Sequence, residues 1–438
     1  MNAFAEAAIG RGRHEDTAYS GALRAGGSNG DDKASRAGPC ARGRVLAMNQ
    51  LLVLRAGRVF DGERMLGQAT VVTQDGRISD LDTSGAPPPE GAEVADFGSD
   101  ACLLPGLIDA HVHLAFDASA DVVTSLAACD DGALLDHMAA ASARALHAGV
   151  TTVRDLGDRN YLSLMLRDRF RSTTLPHILA AGPPITTNGG HCYFLGGEAE
   201  GEAALRAAVR ERAERGCDVV KVMVSGGNLT PGSRPHESQY DLAALRVVVE
   251  EAHRAGLPAA AHVHGAQAVA DAVEAGFDTL EHVTFFTADG VDADPALLDR
   301  IAASGVVVSV TTGSIPAGPA PHPAMAKRMA AILANHGRMF RAGATMIPGT
   351  DAGVSPGKPH DVLPYALRAL VEQIGMTPLQ ALRAATTIAA SAIGLGETKG
   401  RIAVGADADV LVVRGDPVAD IGSITNVQAV FRAGLRAR

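Results

Sequence analysis

Six times in the middle of this sequence a helix-like pattern stops at a glycine and an apolar, β-type run follows almost at once. It happens at Gly149, Gly216, Gly256, Gly276, Gly305 and Gly343, ahead of runs such as Val150-Thr-Thr-Val and Val219-Val-Lys-Val-Met-Val. Glycine closes a helix in the left-handed conformation without Cβ strain, and a short loop then feeds a strand buried on both faces. The helix expected over 242–255 fits this beat, with Leu242, Leu245, Val248, Val249 and Ala252 on one face. Adding runs at 106–113 and 176–181 gives eight strand–helix units, which predict an α/β fold of the TIM-type (β/α)8 barrel class. A doubly wound open sheet is the competing arrangement.

The flanks have a different texture. Short β-type runs (51–55, 69–73, 77–81) precede the Pro87-Pro-Pro-Glu-Gly turn, and similar runs return only near the C-terminus, around 400–413. Runs this short cannot bury a face alone, so both chain ends are expected to pair into one small β-sandwich. The expected organisation is therefore sandwich over 48–104, barrel over 105–397, and sandwich again over 398–438. Residues 1–47 are rich in Gly, Ala, Ser, Arg and Asp without periodicity. They read as a poorly ordered extension, or as sequence upstream of a start at Met48.

Composition narrows the function classes. With 47% hydrophobic and 20% charged residues the chain can build a large core. Its 39 basic and 49 acidic residues, net −10, argue against a nucleic-acid partner. Five scattered cysteines, none spaced as CxxC, fit a reducing compartment. No run of 18 apolar residues suggests a membrane span, and no basic patch leads into an apolar leader. The expectation is a soluble cytoplasmic protein, with a homo-oligomer left open.

In a barrel of this kind chemistry sits where the strands end. Reading those ends gives His111 and His113 on the first strand, Lys221 on the fourth, His262 on the fifth, His282 on the sixth and Asp351 on the eighth. His111 and His113 lie two apart and so point to the same side, where they can share one cation. Imidazoles with a carboxylate, and no thiolate, suit a catalytic zinc site. Singly, each has a bland explanation: a hydrogen-bonded structural histidine, or an aspartate in a turn. Lys221 is the odd one, because a buried ammonium costs several kcal/mol unless paired. Snorkelling is one escape; carboxylation by CO2, giving a carbamate that bridges two metals, is another.

With these residues in view, the chain resembles the metal-dependent amidohydrolase superfamily. The matching stretches are Leu104-Pro-Gly-Leu-Ile-Asp-Ala-His-Val-His, Thr350-Asp-Ala-Gly and Gly405-Ala-Asp-Ala-Asp-Val-Leu-Val-Val, and the likeness covers roughly 50–438. Within it, Gly189-Gly-His191, Gln239-Tyr240-Asp, His262-Val-His264-Gly and Glu281-His282-Val-Thr-Phe look like the imidazolonepropionase-like branch that holds Xaa-Pro dipeptidases and ochratoxin-degrading amidohydrolases.

The resemblance implies two divalent ions, zinc by preference. His111, His113 and Asp351 would hold one, His262 and His282 the other, with carboxylated Lys221 as the bridge. It further implies Asp351 as general base and then acid, His191 and Tyr240 on a substrate carboxylate, and His264 lining the pocket. The substrate class implied is a small-molecule amide whose amine half is an amino acid: a dipeptide, an N-acyl amino acid or an ochratoxin-like amide. Opening of a cyclic amide, imidazolone or lactone is the nearer alternative, and a non-catalytic scaffold the farther one. Val283 and Cys192 stand where that branch commonly has glycine, departures that bear on substrate preference rather than on the metal site.

Overall fold

The computed structural model describes residues 51–169, 174–316, 318–319 and 323–438; the expectation of a disordered stretch at 1–47 lies outside them. The eight middle strands are β1 (Leu107–Val112), β2 (Val150–Asp155), β3 (His177–Ala180) and β4 (Val220–Met223), then β5 (Ala259–Gly265), β6 (Thr279–Phe286), β7 (Val307–Val310) and β8 (Met346–Pro348). All are parallel, in a three-stranded sheet β1-β2-β3 and a five-stranded sheet β4-β5-β6-β7-β8. Two isolated parallel bridges run between the sheets. Val112 of β1 pairs with Ala352 just beyond β8, and Ile185 beyond β3 pairs with Val222 of β4.

The six glycines read from sequence all take positive φ, between 75° and 95°. Those at 216, 276 and 305 cap the helices Glu202–Arg215, Ala266–Ala275 and Pro295–Ser304. The helix Leu242–Arg254 starts where the Asp241 carboxylate accepts from the Ala244 N–H, and it buries Leu245, Val248, Val249 and Ala252. Several elements had no signal strong enough to read in advance, among them the short helices Leu363–Ala369, Pro378–Ala384 and Thr387–Ala392.

The chain ends meet. Ala101–Pro105 pairs antiparallel with Val410–Arg414, which sets Cys102 opposite Val413. These two strands belong to a five-stranded sheet that shares a core of Leu54, Val71, Ile78, Leu103, Val410, Val412 and Phe431 with a four-stranded one (Arg77–Asp82, Ala69–Gln74, Leu52–Ala56, Glu93–Asp96). Alternation explains the unbroken apolar run Val410-Leu-Val-Val: Val410 and Val412 enter this core, while Leu411 and Val413 enter the main one. Among the described residues no helix is long and apolar enough to cross a membrane.

One glycine is required by close approach at the entrance to β1. A Cβ at Gly106 would lie 2.1 Å from the Thr151 Oγ1 of β2. Gly106→Ala is therefore expected to lower stability by about 1–3 kcal/mol, the usual range for overpacking. Denaturant titration checks this; an unchanged midpoint would mean that Thr151 swings aside without penalty.

Candidate active site

Where the parallel strands end, buried polar side chains gather. His111, Lys221, His262 and His282 come from β1, β4, β5 and β6, while His113 and Asp351 lie just beyond β1 and β8. His111, His113, Lys221, His262 and His282 are each at most 6% exposed, whereas the Asp351 side chain keeps 17% of its surface open. The backbone bends to deliver two of them. Asp351 has φ 58°, which aspartate tolerates. In β6, His282, Val283 and Phe285 have φ of 73°, 50° and 54°. A β-branched residue there is strained, which is why glycine would suit position 283. The bend is held by buried His336, whose Nε2–H reaches the carbonyls of His282 (3.0 Å) and Val283 (3.1 Å).

Two groups of potential ligands result. In the first, the Nε2 atoms of His111 and His113 are 3.3 Å apart, and the Asp351 Oδ1 lies 3.5 and 3.4 Å from them. The second brings His262, His264 and His282 together, with His282 Nε2 3.0 Å from His262 Nδ1. The rings of His111 and His282, 5.1 Å apart, connect the groups.

The outward nitrogens are anchored. His111 Nδ1 meets the Glu281 Oε2 at 3.0 Å, His113 Nδ1 the Gly157 carbonyl at 3.2 Å, and His262 Nε2 the Gly226 carbonyl at 3.2 Å. Each anchor consumes the ring's one N–H, so the remaining lone pairs converge inwards. Lone pairs facing each other at 3.0–3.3 Å repel unless a proton or cation lies between them. The donor set fits a divalent cation.

Burial reinforces this chemistry. It pushes the imidazoles of His111 and His264 down to about 4, and those of His262 and His282 well below the ordinary range. All four are neutral, the ligating form, near pH 7. Burial also draws the Lys221 ammonium down to about 8. Its Nζ is buried with no hydrogen-bond partner. For Asp351 burial acts upwards, but the His113 hydrogen bond, the imidazoles around it and the nearby Lys358 ammonium outweigh it and hold the carboxyl well below its usual range. Lys358 Nζ also donates to the Thr311 and Thr350 carbonyls (2.8 and 2.7 Å), pinning the turn that carries Asp351.

The remaining expected residues divide. His191 sits at the cluster, its ring 4.8 Å from that of His262, with Nδ1 buried and unpartnered. Burial pushes it down to about 3, so it is present as neutral imidazole. His264, expected on the pocket wall, joins the second ligand group and stacks on Phe286. Tyr240 is differently engaged: its hydroxyl donates to the Ala199 carbonyl at 2.8 Å, so its only proton already has a partner. Sequence reasoning passed over Arg154 and Glu281, 2% and 0% exposed and paired at 2.9 Å. Like Lys221, Arg154 is a charge placed within a strand run, here Val150-Thr-Thr-Val-Arg-Asp.

A model of the amidohydrolase family matches residues 102–436. The ochratoxinase of Aspergillus niger is 29% identical over 373 residues, 75% of this chain and 73% of that protein. Its crystal structure aligns with a TM-score of 0.75 at 27% identity, covering 89% of this chain and 95% of that one. A Xaa-Pro dipeptidase with methionine bound in its active site aligns at 0.77 with 26% identity, over 88% and 99% of the two chains. The imidazolonepropionase of Salinispora arenicola is 26% identical over 407 residues, 84% of this chain and 92% of that protein.

Proposed function

The chain belongs to the amidohydrolase family and is a hydrolase of C–N bonds, and from that premise we propose that it cleaves linear amides formed on an amino acid, using two divalent ions. The substrates are dipeptides, N-acyl amino acids or aryl-acyl amino acids such as ochratoxin, a reading supported by the likeness to the ochratoxinase and the Xaa-Pro dipeptidase. The fold proposed to carry this is an eight-stranded barrel, a reading supported by the parallel bridges Val112–Ala352 and Ile185–Val222 between the two sheets. The two terminal sheets form the flanking sandwich, with boundaries near 48, 105 and 398.

The observation that carries the ion reading is the unpartnered Nζ of Lys221. Its charge acts on His111, Asp351, His262 and His282, members of both ligand groups. As a carbamate, Lys221 would present two oxygens, one to each ion. His111, His113 and Asp351 would hold the first ion and His262 and His282 the second, with zinc the metal best suited to this donor set. Bound there, the pair would lower the pKa of a shared water and polarise the scissile carbonyl.

The protein's own groups do the rest. Asp351, ionised and partly exposed, takes a proton from the attacking water and returns it to the departing amine. His191, neutral, offers a ring N–H to the carboxylate of the amine half. Tyr240 assists only by exchanging its Ala199 partner for that carboxylate.

The test is hydrolysis of Xaa-Pro, Xaa-Arg, Xaa-Phe and N-acyl amino acids, before and after chelation and with zinc restored. About two ions per chain and chelator-sensitive turnover are expected; full activity in a metal-free preparation overturns the ion reading. Amidating the substrate's free carboxylate should lower kcat/KM about tenfold to a hundredfold, equivalent to the ~1.5–3 kcal/mol of a charged hydrogen bond. Equal rates on free and blocked substrates would remove the carboxylate reading and favour a cyclic substrate.

A further inference from the structure

Of the ligand-bearing imidazoles, only His111 is anchored by a charged group. Its Nδ1 faces Glu281 Oε2 at 3.0 Å, whereas His113 and His262 meet backbone carbonyls. Glu281 is fully buried and its other oxygen is held twice, by Arg154 Nη2 at 2.9 Å and Thr279 Oγ1 at 2.8 Å. Arg154 is itself fixed, because its Nε donates to the Ala110 carbonyl at 2.7 Å, one residue before His111. Three strands, β1, β2 and β6, are thereby tied at one carboxylate.

An ionised carboxylate can only accept. Both Glu281 oxygens are acceptors here, Oε1 for Arg154 and Thr279 and Oε2 for His111, so the His111 ring N–H sits on Nδ1. Nε2 is left as a lone pair aimed at His113 and Asp351. From this geometry we infer that Glu281, locked by Arg154 and Thr279, is the positioning residue that fixes the His111 tautomer and thereby sets ion affinity at the first ligand group. Its negative charge, one ring away, also makes His111 a more basic ligand. Glu281 does not touch substrate; it acts through His111. The inference rests on the two-ion reading above.

Glu281→Gln preserves shape but offers one acceptor and one donor. With its oxygen kept by Arg154 and Thr279, the amide NH2 faces His111 and drives the proton to Nε2. Zinc affinity, read by competition with a chromophoric chelator, should fall about tenfold to a hundredfold, the usual effect of losing such a partner. Should that variant fail to fold, Thr279→Val removes only one of the locking bonds, and a smaller loss of affinity is expected. The unmodified, ion-free protein gives an independent readout: nitrogen-15 shifts of labelled histidine should assign His111 as the Nδ1–H tautomer. An Nε2–H tautomer, or wild-type zinc affinity in folded Glu281→Gln, overturns the inference. Failure of the wild-type chain to take up zinc would instead overturn the two-ion reading, which separates the two results.

Discussion

Lys221→Ala is expected to lose ion content and turnover together, with kcat/KM falling by more than about a hundredfold. Losing a residue that merely supports a ligand typically costs 10–100-fold, and Lys221 is proposed to bridge both ions directly. Elemental analysis of the purified variant, alongside its rate on the best amide found, makes the measurement. Added acetate or propionate should restore part of both, since a small carboxylate can occupy the space the carbamate leaves. Lys221→Met separates function from folding. It should be equally inactive, yet its ion-free form should be more stable than the ion-free wild type, because a buried amine without a partner costs about 1–3 kcal/mol. Wild-type-like turnover in either variant would remove the bridge.

Asp351→Asn should lower kcat on amides by about two to four orders of magnitude, the range associated with a positioned acid or base. The size alone would not identify the role, because the same carboxylate is a proposed ligand. Leaving groups make the distinction. An amide must be protonated as its C–N bond breaks, whereas an ester with an activated phenol leaves unaided. If Asp351 returns the proton, the loss on such an ester should be at least about tenfold smaller than on the amide. Equal losses on both would confine Asp351 to ion binding.

Much of this arrangement is legible in the sequence because strand ends and helix stops leave local marks. The glycines at 149, 216, 256, 276, 305 and 343 mark where each helix gives way to a strand, and their positive φ shows why the mark is reliable. Lys221 is conspicuous for lying in an apolar run. His264 is legible as a pocket residue, and its spacing of two from His262, the same as between His111 and His113, also marks it as a potential ligand. Other features leave no local trace. The Tyr240 hydroxyl finds its acceptor 41 residues away, and Arg154 meets Glu281 across 127 residues. Neither pairing follows until strand neighbours and side-chain directions are known. The bend at His282 is similarly hidden, since Val283 gives no hint of a left-handed conformation.

The pairing of Ala101–Pro105 with Val410–Arg414 has a consequence for how the molecule is made. A ribosome delivers the first of these strands roughly 300 residues before the second, a lag of about 15–60 s at ordinary elongation rates. Throughout that interval Leu103 and Leu104, both fully buried at the end, have no antiparallel neighbour in Val410–Arg414, and Gly106 N–H lacks the Asp409 carbonyl it finally donates to. The nascent chain must therefore carry a waiting apolar edge past its own middle. A message truncated before codon 410 would release a polypeptide with every proposed ion ligand but no means of closing that edge, a natural client for chaperones and proteases.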